Sequence, residues 1–399
     1  MANRHCCEAE IVCGIAGFLD LRRRFGHQEA AQLARAMANR LRHRGPDAGA
    51  IWTDVTAGIA LGHRRLSIID LSAAGAQPMI SSSGRSVLSY NGEVYNPEEL
   101  RHELELLGVR WRGRSDTEVI LEAFEVWGVV ATAKRLMGMF ALAWWDDHTR
   151  TLWLLRDRIG KKPLYYGRFD GTVLFGSQLK ALMAHPSCER TIDRDALARY
   201  FRFGYFPSTR SVLRGVRQLR PGTALAITCD GPRAGEPTEH VYWDAREIAD
   251  RGPLAISNGQ DLTDDLEHLL ADAVRRRMVA DVPLGAFLSG GIDSSTVVAL
   301  MQAQSLCPVK TFSIGFNEPR YNEAPYAKAV AAHLGTDHTE LYAGPEAALE
   351  LIPRLAEWYD EPFADPSQIP MLLVSELARR HVTVVLSGDG GDELFYGYS

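Results

Sequence analysis

The chain lacks any run of eighteen or more apolar residues, and its N-terminus lacks the apolar core of a secretory signal. Those absences argue against a membrane span and against export, so the expected location is the cytoplasm. An excess of positive charge is also missing. A net charge of -6 argues against bulk binding to nucleic acid and leaves Arg22 to Arg24 and Arg275 to Arg277 as basic clusters on solvated faces. Cysteine is sparse, and Cys6, Cys7, Cys13, Cys188, Cys229 and Cys307 follow no disulfide or zinc spacing. Reduced thiols are expected. His5, Cys6 and Cys7 carry metal-binding atoms, but adjacent cysteines in an unpatterned leader read as incidental. No internal repeat or long low-complexity tract appears. What remains, 46% hydrophobic and 24% charged over 399 residues, suits an ordinary globular enzyme of two or three domains.

The texture changes twice along the chain. From Cys13 to about Leu182 short β-like runs dominate: Cys13 to Leu19, Ile51 to Leu61, Arg85 to Tyr90, Phe140 to Trp145, Thr151 to Arg156 and Thr172 to Gly176. Helical patterns at His27 to His43 and Ser115 to Trp127 interrupt them, the second with Asp116 and Glu118 near its start, where carboxylates are favoured. That mixture predicts an α+β layered domain over 13–183. Residues 184–261 are rich in Pro, Gly and Arg, with turns at Arg220-Pro221-Gly222 and Asp230-Gly231-Pro232, and read as a bridging region. Over 262–399, helical segments alternate with buried strands at Leu284 to Leu288, Val309 to Phe316, His338 to Tyr342 and Val382 to Leu386. The order predicts βαβ units and a parallel sheet, with ligands at the carboxyl ends of its strands, where Ser289 and Ser387 fall.

The run Leu288-Ser289-Gly290-Gly291-Ile292-Asp293-Ser294-Ser295 follows an apolar strand and opens a helix. Ser-Gly-Gly lets backbone N–H groups approach an anion, and the helix start adds positive potential. Ser294 and Ser295 supply hydroxyls and an N-cap. Asp293 would repel a phosphate unless a divalent cation lies between them. The pattern lacks the Gly-Lys-Ser/Thr close of a Walker loop and is not the Rossmann G-x-G-x-x-G. It resembles the PP-loop of ATP pyrophosphatases, which activate a carboxylate or carbonyl by adenylation. A glycine-rich turn capped by serines is the plainer alternative.

A second cluster lies in the first half. The segments Cys13-Gly14-Ile15-Ala16-Gly17-Phe18, Arg44-Gly45-Pro46-Asp47, Gly62 to Asp70, Tyr90 to Asn96 and Arg114 to Glu118 resemble, in order, the motifs of class II glutamine amidotransferases with an N-terminal nucleophile (Ntn). The resemblance implies an αββα layered fold and a glutaminase site. In it Cys13 is the nucleophile that forms a thioester, and Asn91 and Gly92 are the oxyanion hole. Arg65 would pair with the glutamine carboxylate, Glu93 and Asp116 would hold its ammonium, and Leu66, Ser67, Ile68 and Ile69 would belong to the glutamine-binding site. Taken alone, Asn91-Gly92 is also a strong hairpin-turn signal. In the family the cysteine begins the mature chain, and its α-amine, with a pKa of about 7.7–8.0, is the general base. Here residues 1–12 precede it, and are read as a leader or a misassigned start, the latter favoured because Val12 directly precedes Cys13.

Farther on, Thr311 to Phe316, Asp360 to Ser367 and Leu386 to Leu394 extend the likeness to glutamine-hydrolysing asparagine synthetases. The resemblance implies ATP contacts at Leu288, Ser289, Gly290, Gly291, Asp293, Ser294, Ser295, Ile314, Ser387 and Gly388, with Mg²⁺ as cofactor at Asp293 and Asp392. Asp389 would be linked to formation of β-aspartyl-AMP, although many family members carry Glu there. The expected activity is hydrolysis of glutamine and internal transfer of ammonia to ATP-activated aspartate, giving asparagine, AMP and pyrophosphate. The expected partners are these small molecules and a possible second copy of the chain, with neither nucleic acid nor membrane. Family members also run on through a helical region bearing a lysine with no counterpart here, which reads as a C-terminally incomplete synthetase domain whose strand Val382 to Leu386 is left uncovered. Alternatives are an amide-forming relative acting on a peptide or cell-wall precursor, or a non-catalytic regulator that binds glutamine and ATP.

Overall fold

A computed structural model describes residues 12–207, 209–252, 259–395 and 397. The chain forms two compact units. His5, Cys6, Cys7 and nearly all of the proposed leader lie outside the described residues.

The first unit holds the described residues of 12–252 together with Tyr359–Ala364. Two six-stranded antiparallel sheets form its centre. In one, the order is Val216–Gln218, Tyr165–Phe169, Thr172–Gly176, Gly14–Asp20, Ile59–Arg65, Ala48–Asp54. In the other it is Pro237–Val241, Thr223–Thr228, Thr151–Arg156, Gly138–Asp146, Ser86–Val94, Met79–Ile80. Alternating strand residues divide their apolar side chains between faces. Ile15, Leu61, Ala143, Leu154 and Leu225 fill the space between the sheets. Phe18, Ala34, Met37 and Leu174 seal the first sheet against helix His27–Asn39, and Tyr90, Ile120, Phe124 and Trp144 seal the second against helix Asp116–Trp127. Three apolar seams make four layers, the αββα arrangement expected from the amidotransferase likeness.

The structure divides the sequence more finely than its texture does. The run Ile51 to Leu61 is a hairpin of Ala48–Asp54 and Ile59–Arg65, because Asp54 Oδ1 accepts from the Thr56 and Ala57 nitrogens (2.8 and 3.3 Å) and closes the turn. Within 184–261, Val216–Gln218 extends one sheet while Thr223–Thr228 and Pro237–Val241 extend the other. The turn-rich texture there belongs to the loops around those strands. The acidic segment beginning at Asp360 also enters this unit. Glu361 accepts from the Tyr165 hydroxyl (2.9 Å) and the Val212 nitrogen (2.6 Å), and Asp360 pairs with Lys180 at 3.1 Å.

The second unit comprises the described residues within 259–358 and 365–397. Its four-stranded sheet, ordered Asp337–Ala343, Lys310–Phe316, Leu284–Phe287, Val384–Leu386, is parallel throughout. Val298, Met301, Ala327 and Ala331 cover one face, while Val374 and Leu377 of helix Gln368–Arg379 pack against Phe312 on the other. Strand Val384–Leu386 is therefore not bare: Leu386 and Val382 are buried. Its pairing beside Leu284–Phe287, across from Lys310–Phe316, creates a reversal of strand order at which α/β sheets open a ligand crevice.

Candidate active site

In the first unit, one cavity gathers residues that are far apart in sequence. Cys13, Arg65, Leu66, Ile68, Ile69, Asn91, Gly92, Glu93 and Asp116 all line it, and Val12 forms part of its wall. Ser67 is not among the lining residues; its backbone nitrogen donates to Asp47 Oδ2 at 2.8 Å. Cys13 immediately precedes strand Gly14–Asp20, and its carbonyl accepts from buried Arg44 at 3.3 Å. Its sulfur lies 3.4 Å from the Leu66 nitrogen. Burial pushes the thiol up to about 11, against opposing pulls from the Leu66 backbone, Arg65 and Lys162.

Asn91 and Gly92 sit within strand Ser86–Val94, opposite Ala141 and Phe140, so this Asn-Gly pair is not a hairpin turn. A Cβ on Gly92 would overlap the Met139 carbonyl and lie 2.7 Å from Phe140 Cα. Only glycine lets the strands pair this closely. Gly92→Ala is accordingly expected to lower stability by about 1–3 kcal/mol, measured as a fall in denaturant midpoint beside a loss of glutaminase activity. The buried Asn91 amide finds no hydrogen-bond partner at either side-chain atom among the described residues. An orphaned buried amide is costly unless a ligand completes it.

Asp116 opens helix Asp116–Trp127, with Ser115 as N-cap accepting from the Glu118 nitrogen at 3.3 Å. Its Oδ2 accepts from the Tyr90 hydroxyl (2.8 Å) and Val94 nitrogen (3.0 Å), while burial raises its pKa. Tyr90 is itself fixed, its nitrogen donating to Gln77 Oε1 at 2.7 Å. The Arg65 guanidinium is aimed by carbonyls of the following loop, donating to Asp70, to Ser72 at 3.3 Å and to Ile69 at 3.5 Å. His63 is buried and is not among the residues lining the cavity. Its Nε2 meets the Tyr90 carbonyl at 2.9 Å, and burial drives its pKa down to about 4, so the ring is neutral at physiological pH. The sequence reading missed Gln77, Thr117, Met139 and Lys162, which also line the cavity.

In the second unit, Leu288 leaves strand Leu284–Phe287 with its nitrogen donating to the Phe312 carbonyl at 2.9 Å. Gly290 takes φ +85°, and a Cβ there would lie 2.7 Å from the Ala327 nitrogen. Helix Ile292–Ala303 has Gly291, rather than a serine, at its N-cap. The Ser294 hydroxyl instead lies 2.9 Å from that of Ser289 and accepts from the Ser289 nitrogen at 3.2 Å, bracing the loop across its base. The Ser295 hydroxyl is buried and makes no hydrogen bond among the described residues. Ile314, midway along strand Lys310–Phe316, packs against the Phe312 cluster.

The loop following Val384–Leu386 closes on this turn: a methyl group at Gly391 would overlap Asp293, and one at Gly388 would lie 2.8 Å from the Ser294 nitrogen. Asp389 turns back on its own loop, accepting from the Ser387 hydroxyl at 3.0 Å. Desolvation, Asp293 and Glu393 together raise the pKa of Asp392. No group of three or more metal-binding side chains occurs among the described residues. Magnesium held largely by nucleotide phosphates needs only one or two carboxylates, and the mutually repelling Asp293 and Asp392 fit that requirement.

A four-layer unit with a cysteine cavity, followed by a parallel α/β unit with a glycine turn at its strand reversal, defines a glutamine amidotransferase joined to a nucleotide-type synthase domain. Residues 12–243 match the glutamine amidotransferase domain family, and 265–399 match asparagine synthase. The chain belongs to the glutamine-hydrolysing asparagine synthetase family. It is 38% identical to a Methanocaldococcus jannaschii protein provisionally named as such a synthetase, over 97% of this chain and 76% of the relative. It is 36% identical to asparagine synthetase [glutamine-hydrolyzing] 1 of Bacillus subtilis, over 97% of this chain but 59% of the relative. A Gibberella zeae protein named amidase chry2 is 32% identical over 97% of this chain and 59% of its own. No helix among the described residues is long and apolar enough to cross a membrane.

Proposed function

We propose that this protein is a cytoplasmic, ATP-dependent ligase that hydrolyses glutamine in its first unit and uses the ammonia to convert activated aspartate to asparagine in its second. The observation that carries the first half is the buried, unpartnered Asn91 amide in the wall of the Cys13 cavity. A carbonyl oxygen turning into an oxyanion supplies the acceptor that the amide lacks, and the Gly92 N–H is the second donor assigned to it. Arg65 takes the substrate carboxylate, while Glu93 and Asp116 take its ammonium. Attack by Cys13 sulfur forms a C–S bond as the C–N bond breaks, and the thiol proton leaves with ammonia. Water then hydrolyses the thioester to glutamate and restores the thiol.

In the second unit, Ser289, Gly290, Gly291, Ser294 and Ser295 hold the ATP phosphates, with Leu288, Ile314, Ser387 and Gly388 shaping the nucleotide site. Asp293 and Asp392 would hold Mg²⁺, which offsets charge on the departing pyrophosphate. Asp389 is assigned to the adenylation step. Aspartate carboxylate attacks the α-phosphorus of ATP, releasing pyrophosphate, and ammonia then displaces AMP.

Incubation with glutamine, Mg-ATP and a panel of carboxylates, with glutamate and pyrophosphate followed separately, tests both halves. Asparagine and pyrophosphate formed with aspartate support the reading, whereas glutamate without pyrophosphate for any carboxylate overturns the ligase half. Asp293→Asn is expected to cut pyrophosphate release by about 10- to 100-fold, no less than the loss from removing a mere supporting partner of a metal site. ATP-independent glutamate release should remain unchanged.

A further inference from the structure

One wall of the first cavity is the margin of a sheet that stops short. Strand Met79–Ile80, the outermost of the second sheet, pairs Met79 with Leu88 and ends there. Its neighbour Ser86–Val94 runs on through Tyr90, Gly92 and Val94, with no strand on that side among the described residues. Backbone N–H groups of an antiparallel strand point alternately to its two sides, so those of Tyr90, Gly92 and Val94 share one side. Phe140, opposite Gly92, shows which side that is. Its nitrogen donates to Asp157 Oδ2 at 3.1 Å and its carbonyl accepts from the Asp157 nitrogen at 2.8 Å, both on the side away from Gly92. All three N–H groups therefore face the open margin.

Two of the three are taken by side chains. The Val94 nitrogen donates to Asp116 Oδ2 at 3.0 Å, and the Tyr90 nitrogen donates to Gln77 Oε1 at 2.7 Å. Gln77 lies two residues before Met79 as Tyr90 lies two after Leu88, so its side chain accepts where the carbonyl of a longer strand would. A strand that ran on in its place would cover the Gly92 N–H as well. Gln77 is buried, and its Nε2 donates at 3.2 Å to Oγ1 of buried Thr117, the residue after Asp116 on the same helix. One amide thus ties the strand that carries Asn91 and Gly92 to the helix that carries Asp116. Gln77, Gly92, Asp116 and Thr117 all line the cavity.

We propose that Gln77 is a positioning residue for glutamine hydrolysis: it ends the ladder at Tyr90, which leaves the Gly92 N–H uncovered and holds it, with the Asn91 amide, at the reacting oxygen. Gln77 exchanges no proton and forms no covalent bond in this role. Its effect belongs to the transition state, because the two donors are needed once charge has developed on that oxygen.

This inference rests on Asn91 and Gly92 forming the oxyanion hole, and the test separates the two. Gln77→Met keeps the length of the side chain but has neither the amide donor nor its carbonyl acceptor. Its glutaminase kcat, read well below the melting temperature, should fall about tenfold through misplacement of the donors, with KM little changed. A double-mutant cycle with Asn91→Ala follows. Groups that serve one oxygen are lost together, so Gln77→Met should cost far less in the Asn91→Ala background than in the parent. Thr117→Val spares the Tyr90 bond and removes only the tether, so it should show a smaller loss of the same kind and serves even where Gln77→Met folds poorly. An unchanged kcat, a rise in KM alone, or losses that multiply in full across the cycle overturn the role. Asn91→Ala by itself is the control for the underlying reading: a kcat near the parent's would sink the oxyanion hole, whereas a crippled Asn91→Ala beside an unimpaired Gln77→Met would sink only the role of Gln77.

Discussion

A chain that begins at Cys13 is expected to hydrolyse glutamine about 10²- to 10⁴-fold faster than one in which Val12 remains attached, the range that a positioned general base contributes. Among the described lining residues no other group is suited to the task. His63 is neutral at physiological pH, but it is buried and committed to the Tyr90 carbonyl. Glu93 and Asp116 are assigned to the substrate ammonium, and Lys162 and Arg65 are cations. A free α-amine at Cys13, with a pKa of about 7.7–8.0, accepts the thiol proton near neutrality. The same nitrogen inside the Val12-Cys13 peptide bond has no basic lone pair. The free-amine chain should also gain rate as pH rises through that range, because the amine becomes unprotonated. Steady-state glutamate release from the two chains, with intact mass to establish each N-terminus, decides the matter. Equal rates would remove the α-amine from the mechanism.

Asn91→Ala should lower glutaminase kcat by about 10²- to 10³-fold, the loss seen when one oxyanion donor is removed. KM should change little, because the amide is needed at the oxygen only after charge has developed there. Folding should survive, since neither amide atom of Asn91 holds any other described residue. Alanine also fits a strand position between Tyr90 and Gly92 whose pairing is through the backbone. Kinetics at saturating glutamine, alongside a thermal melt, would check this. A kcat within a few-fold of the parent would exclude Asn91 from the oxyanion hole.

Much of the architecture is legible in the amino acids because its signals are local. Thr151 to Arg156 and Thr172 to Gly176 are read to the residue, being short apolar runs bounded by turns. Strands Val216–Gln218 and Thr223–Thr228 are hidden because Arg220-Pro221-Gly222 between them dominates the local texture. Asn91-Gly92 carries a hairpin signature, yet sheet pairing with Ala141 and Phe140 overrides it. Ser294 and Ser295 read as helix caps, whereas Ser294 finds a better partner in Ser289 across the loop. The cavity motifs are recognisable because each combines unusual residue types in a short span. Lys162 escapes because nothing around it in sequence reveals that Asp157 is buried or that Phe140 shares its carboxylate.

The capture of Tyr359–Ala364 by the first unit has a consequence for synthesis on the ribosome. When translation has passed residue 252, the Tyr165 hydroxyl and Val212 N–H still await Glu361, and Lys180 awaits Asp360. The amidotransferase half therefore completes its hydrogen bonds only after most of the following unit has emerged. A nascent chain stalled before that point should be the form most readily cut by protease around those unpaired groups.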